Sequence, residues 1–163
     1  MRQARPPRAT ERRPRSENIE INKRIVAASS AEHILRLYDR EGRSFNTVNT
    51  ATAIHRLGKC KDRPRTSDPR LRSLLELAAR SIDGHPELWD PRSLANVCWG
   101  AAKAGASSRA LFGAVAHVAR SRLGQFNSQD LANTAWAFAT AGVSSRALFE
   151  AIAAEARARI GQF

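Results

Sequence analysis

Small and apolar residues recur at helical spacing along the last half of the chain, and polar caps, prolines and glycines interrupt them at intervals. Leu94, Cys98, Ala101 and Ala102 follow the i, i+4, i+7, i+8 rhythm of one helical face, and Leu131, Ala135, Phe138 and Ala139 repeat it. Asp90 as cap and Pro91 at the first helical position open the first of these helices, and Gly105 stops it. Asn127 caps its sister, Asp130 places a carboxylate in the first turn where the helix dipole favours it, and Gly142 provides a left-handed C-cap. A second helix follows each. One opens at Ser107/Ser108 and should bury Leu111, Phe112, Val115, Ala119 and Leu123, ending at Gly124. The other opens at Ser144/Ser145 and should bury Leu148, Phe149, Ile152, Ala156 and Ile160, ending at Gly161. Upstream, Asp68 and Pro69 open "LRSLLELAARSI". "SSAEHILRLYDREG" predicts a helix with a capping box from Ser29 to Glu32 and a stop at Gly42, the last helix of a preceding unit.

These helix pairs are copies of one another. Residues 89–125 laid over 126–162 share 20 of 37 positions, including "SSRALF" in both. A fainter copy begins at Phe45, where "FNTVNTATAIHRLGKC" matches "FNSQDLANTAWAFATA" from Phe126; it spans 45–88 and is seven residues longer. A period of this size marks an array, and a two-helix unit cannot bury its apolar face without neighbours. The expected architecture is all-α, a right-handed α-solenoid of stacked helix-turn-helix repeats of about 37 residues. Its parts are a basic arm or targeting segment (1–20), a partial N-terminal repeat (21–44), a divergent repeat (45–88) and two close repeats (89–125 and 126–163). Phe163 occupies the place of Phe126, which leads into the next helix, and "LFEAIAAEARARIGQF" lacks the all-round polarity of a capping repeat. The chain therefore reads as a fragment of a longer array, with a last helix expected to fray or self-associate through Leu148, Ile152 and Ile160.

The charge balance changes the picture. A net charge of +12 and a sequence pI near 11.4 call for a polyanion, an acidic protein surface or an anionic membrane as partner. No run approaches the roughly 18 apolar residues of a membrane helix, so no membrane partner of that kind is expected. The first twenty residues hold six Arg, three Glu and three Pro with little to build a core. Such a start suits a mitochondrial or plastid transit peptide but lacks the amphipathic stripe, and a plain basic linker or nucleic-acid-binding arm is the favoured reading. Cys60 and Cys98 have no metal or disulfide spacing and read as small core hydrophobes. His33, His55, His85 and His117 pair with no carboxylate or thiol at ligand or triad spacing, and no phosphate-cradling loop or nucleophile elbow is present. The expectation is no enzyme, no metal and no cofactor.

"LANTAWAFATAG" and "LANVCWGAAKAG", each followed by "LF" and "GQF", resemble the octotricopeptide and heptatricopeptide repeats. Those repeats occur in FAST-kinase-like and RAP-domain proteins of mitochondria and plastids, and in a subunit of the kinetoplastid RNA-editing substrate-binding complex. The resemblance covers residues 21–163, strongly in the last two units. It implies single-stranded RNA binding in organellar RNA processing, editing or expression, in a mitochondrion or alternatively a plastid. A scaffold that holds other subunits of an RNA-processing complex is the alternative. Two departures stand out: the 163 residues contain no RAP domain, and the divergent unit has Thr52 and His55 where the others have Asn and Trp.

Candidate RNA contacts fall into two sets. On the first helices, Asn96, Gly100 and Lys103 share a line with Asn133, Ala137 and Thr140, and with Thr52, Arg56 and Lys59. Short polar side chains at such a line read base edges in modular RNA-binding repeats. Bracing against the next helix is the competing role for Asn96 and Asn133. Phosphate contact competes with simple solvation for Arg56, Lys59 and Lys103. On the second helices, Arg109, Arg120, Arg146 and Arg157 recur in register, with Arg122 and Arg159, as a ribbon for phosphates or as a solubilising outer face. Trp99 and Trp136 are expected in the core between repeats, with base stacking as the alternative.

Overall fold

The caps written in the sequence set most helix boundaries. The computed structural model describes residues 15–160, and among them every regular element is helical. The helices are α1 (Arg15–Ala27), α2 (Ala31–Glu41), α3 (Thr47–Lys59), α4 (Pro69–Gly84), α5 (Pro91–Lys103), α6 (Arg109–Arg120), α7 (Ser128–Ala141) and α8 (Arg146–Ile160). Asn127 and Asp130 form a reciprocal capping box at α7, and Asn46 with Asn49 does the same at α3. Asp90 accepts the Ser93 N–H at α5, and Asp68 accepts the Arg70 N–H at α4. Gly105 and Gly142 take the only positive φ values among the described residues, 79° and 65°. The N–H of Ala106 reaches Ala101 O and that of Val143 reaches Phe138 O, so both ends are Schellman closures.

Three boundaries differ from expectation. Ser30 rather than Ser29 caps α2, accepting the His33 N–H at 3.1 Å. Gly124 does not end α6, which stops at Arg120; it sits in a 3-10 turn, Leu123–Gln125, that redirects the chain into α7, whereas α2 does stop at Gly42, which opens the turn Gly42–Ser44 before α3. Residues 15–20, assigned by composition to the basic arm, belong to α1 because Ile21 and Ile25, one turn apart, anchor that helix in the core. The segment before α2 is thus a first helix, which gives the N-terminal unit a complete pair. Residues 1–14 and 161–163, with the rest of the arm, Gly161 and Phe163, lie outside the described residues.

The odd-numbered helices pack in one row, α1 on α3, α3 on α5 and α5 on α7, and the even-numbered helices α2, α4, α6 and α8 pack in a second. The core lies between the rows. Leu94, Cys98, Ala101 and Ala102 are buried as read, and so are Leu111, Phe112, Val115, Ala119 and Leu123. Burial pushes the Cys98 thiol pKa up, while Cys60 is only partly buried. Phe138 stands edge-on to Phe112 (4.9 Å between centroids) and to Phe149 (6.4 Å), continuing the core into α8. Ala139 is exposed rather than buried, and Ile160 is 72% exposed, since among the described residues α8 packs on α6, α7 and the Leu123–Gln125 turn.

Backbone carbonyls join successive pairs. Arg122 donates to Pro86 O (3.1 Å) and Trp89 O (2.8 Å), and Arg159, 37 residues on, donates to Leu123 O (3.2 Å). These two recurrent arginines hold the loop of the preceding unit. Ser107 Oγ donates to Ala141 O at 2.8 Å, tying the α5–α6 loop to the end of α7. The extra residues of the divergent unit lie between α3 and α4, where the Asp62 carboxylate accepts the Ala31 N–H (3.0 and 3.2 Å).

Beside that loop Arg70 forks between Asp68 (2.7 Å) and Glu32 (2.8 Å). Its hydrogen bond, with a further one from Arg36, lowers the Glu32 pKa from 4.5 to about 2. A carboxylate with a depressed folded-state pKa adds stability above its ordinary pKa and loses it as pH falls towards the folded value. Melting temperatures of the wild type and Glu32→Gln should therefore differ at pH 7 and converge between pH 4.5 and about 2. A gap that stays constant across that range would show that the fork adds nothing.

Candidate nucleic-acid interface

Glycine brings the first row together. An ideal Cβ on Gly100 would lie 2.3 Å from Ile54 O and 2.8 Å from His55 Cα, and one on Gly58 would lie 2.8 Å from Gly100 Cα, so α3 and α5 touch backbone to backbone. At the matching place of α7 stands Ala137, fully buried. Trp99 and Trp136, one position before Gly100 and Ala137, are turned to the outer side of the row, and His55 stands at the equivalent position of α3.

His55, Trp99 and Trp136 hold that position in α3, α5 and α7. They form a continuous aromatic ladder: His55 meets Trp99 edge-on at 5.2 Å, and Trp99 meets Trp136 at 6.3 Å with 35° between planes. Trp136 is 41% exposed and Trp99 partly exposed. The indoles do span neighbouring units as expected, but Trp136 is a surface residue and not core. One turn further along, Lys59, Lys103 and Thr140 line up, all exposed, and Lys103 Nζ lies 5.8 Å from the centre of the Trp136 ring. One turn before the ladder come Thr52, Asn96 and Asn133, and before them Val48, Arg92 and Gln129.

The electrostatics are one-sided. Burial first, then the charges of Lys59, Arg56 and Arg92, hold the His55 pKa below its ordinary value, which keeps the ring neutral at pH 7. Among the described residues, Lys59, Arg92 and Lys103 form no ion pair. Asn96 and Asn133 are half-buried, and neither side chain has a hydrogen-bond partner among the described residues. The bracing role considered for them belongs instead to Asn49, which is buried and donates to Asn18 O (2.9 Å) and Asn22 Oδ1 (3.4 Å) across the α1–α3 seam.

Of the residues singled out by sequence, Lys59, Asn96, Lys103, Asn133 and Thr140 come together on this face. Arg56 differs: it is half-buried and donates to Ala28 O at 2.9 Å, capping the end of α1. Arg109, Arg120, Arg146 and Arg157 are exposed on α6 and α8 in the other row, where Arg146 is already paired with Glu150 at 2.7 Å. Two members of the face, Arg92 and His55, were not among the sequence candidates. The signal for both was their register with Gln129 and with the two tryptophans. Among the described residues no group of three His, Cys, Asp or Glu side chains is placed to hold a metal ion, and no helix there is long and apolar enough to cross a membrane. No protein-family model and no solved structure matches the chain.

Proposed function

We propose that the chain is a right-handed α-solenoid whose first-helix row binds single-stranded RNA, as a binding module without catalysis. The observation that carries this reading is the partly exposed His55–Trp99–Trp136 ladder, flanked by Lys59 and Lys103 on one side and Arg92 on the other, none of them ion-paired among the described residues. Aromatic faces stack unpaired bases whatever their sequence, and lysines and arginines beside them take the phosphates. Asn96 and Asn133, whose amides have no partner among the described residues, stand next to the ladder where base edges would pass. The four-pair packing order and the 37-residue recurrence of Arg122 and Arg159 contacts support the solenoid. The repeat resemblance supports a role in organellar RNA processing.

Binding of labelled single-stranded RNA, measured across a salt series and against single-stranded and duplex DNA, tests the reading. Micromolar affinity that falls between about 50 and 200 mM salt is expected. Changing Lys59, Arg92 and Lys103 to Gln should flatten the log–log salt slope by about two, since each phosphate contact to a single strand contributes roughly 0.7. The same change at Arg109, Arg120, Arg146 and Arg157 should flatten it less. The reverse order would move the interface to the second row, and salt-independent or absent RNA binding would favour the protein scaffold.

A further inference from the structure

Beyond His55, the outer side of the first row continues into a cleft between α1 and α3. Ile19, Val26 and Val48 wall it, at 48%, 51% and 54% exposure, and it encloses about 530 Å³. Val48 stands in the register of Arg92 and Gln129, so the cleft continues the face described above. Apolar walls are only half of its character, because Asn18, Asn22 and Asn46 also line it. Asn49 has spent its amide on the Asn18 carbonyl and the Asn22 side chain, and Asn46 caps α3. Asn18 is different: its Oδ1 is shut from solvent with no hydrogen-bond partner.

We propose that this cleft holds one unstacked base of the bound strand, a base with an exocyclic amine beside an unprotonated ring nitrogen, as in adenine, read by the Asn18 carboxamide. The inference rests on the single-stranded RNA reading above. A carboxamide matches that edge in both directions, its oxygen accepting from the amine and its NH₂ donating to the ring nitrogen. The terminal torsion of asparagine is soft, so Oδ1 turns into the cleft when a donor arrives. Branched aliphatic walls suit the flat, apolar faces of a base. A purely apolar partner helix would cover Ile19 and Val48 but leave the Asn18 oxygen unsatisfied, a costly state for a buried acceptor.

The test compares, on the full chain, an oligouridylate strand carrying one central adenosine with the same strand carrying purine riboside, which lacks only the amine. The adenosine strand should bind about five- to tenfold more tightly, the worth of one good base-edge contact. Asn18→Leu should erase that difference while leaving the melting temperature unchanged or higher, because the free protein then loses an unpartnered acceptor. Val48→Glu, which puts a carboxylate in the wall, should erase it as well. Strands that bind equally well to the wild type, or a difference that survives both substitutions, would overturn this inference alone. Failure of every strand to bind would overturn it together with the RNA reading.

Discussion

Gly100→Ala is expected to destabilise the protein by about 2 kcal/mol or more, the upper part of the range for overpacking a tight contact. The added methyl would meet Ile54 O at 2.3 Å and His55 Cα at 2.8 Å. Both are backbone atoms of α3, so no side chain can swing aside and the two helices must separate. The helical preference of alanine over glycine, up to about 1 kcal/mol, works in the opposite direction and is outweighed. Gly113 in α6 provides the control, since a Cβ there meets nothing within 4 Å. Gly113→Ala should stabilise by up to about 1 kcal/mol. Denaturation midpoints of the two variants should therefore move to opposite sides of the wild type. Equal shifts would mean that the α3–α5 backbone contact does not hold the first row together. Separation of α3 from α5 also pulls His55 from Trp99, so Gly100→Ala should weaken RNA binding as well as folding.

Trp136→Ala should do the reverse, reducing RNA affinity by about 5- to 100-fold, the equivalent of one stacked base at 1–3 kcal/mol, with little change in stability. The indole is 41% exposed, lies outside the core cluster, and has Trp99 and the Lys103 ammonium beside its ring. Trp136→Phe keeps a stacking face and should recover most of the affinity. Trp89→Ala gives the contrast. That indole is fully buried ahead of α5 and donates to Ser81 Oγ at 3.1 Å, so its loss should cost about 3–5 kcal/mol in stability. Isothermal titration with single-stranded RNA, alongside thermal melts, separates the two effects. Full RNA affinity in Trp136→Ala would remove the ladder from the interface.

The contrast between the two tryptophans also marks how far the sequence could be read. Asp68, Asp90, Asn127, Gly105 and Gly142 announced helix ends because caps act within a turn of the chain, on N–H and C=O groups only a few residues away. The buried faces of α5 and α6 were legible for a similar reason, since helical periodicity alone decides which residues share a face. The beginning of α1 was not, because only Ile21 and Ile25 carry its stripe and the charges around them resemble a solvated arm. Register alignment put Asn96 with Asn133 and Trp99 with Trp136, and so identified which residues are equivalent, but not which way they face. That direction was decided by which helix lies against which. Gly58 and Gly100 let α3 and α5 meet at the backbone, which brings His55 against Trp99, and the packing of α5 on α7 brings Trp99 against Trp136 to complete the ladder. The pairing of the arginines was decided in the same way. Arg56, Arg122 and Arg159 look like any other cations in the sequence, yet each reaches a carbonyl 28 to 36 residues away and is held there. Caps and periodicity are local and repeat with the sequence, whereas exposure and pairing depend on partners that only the packed chain brings within reach.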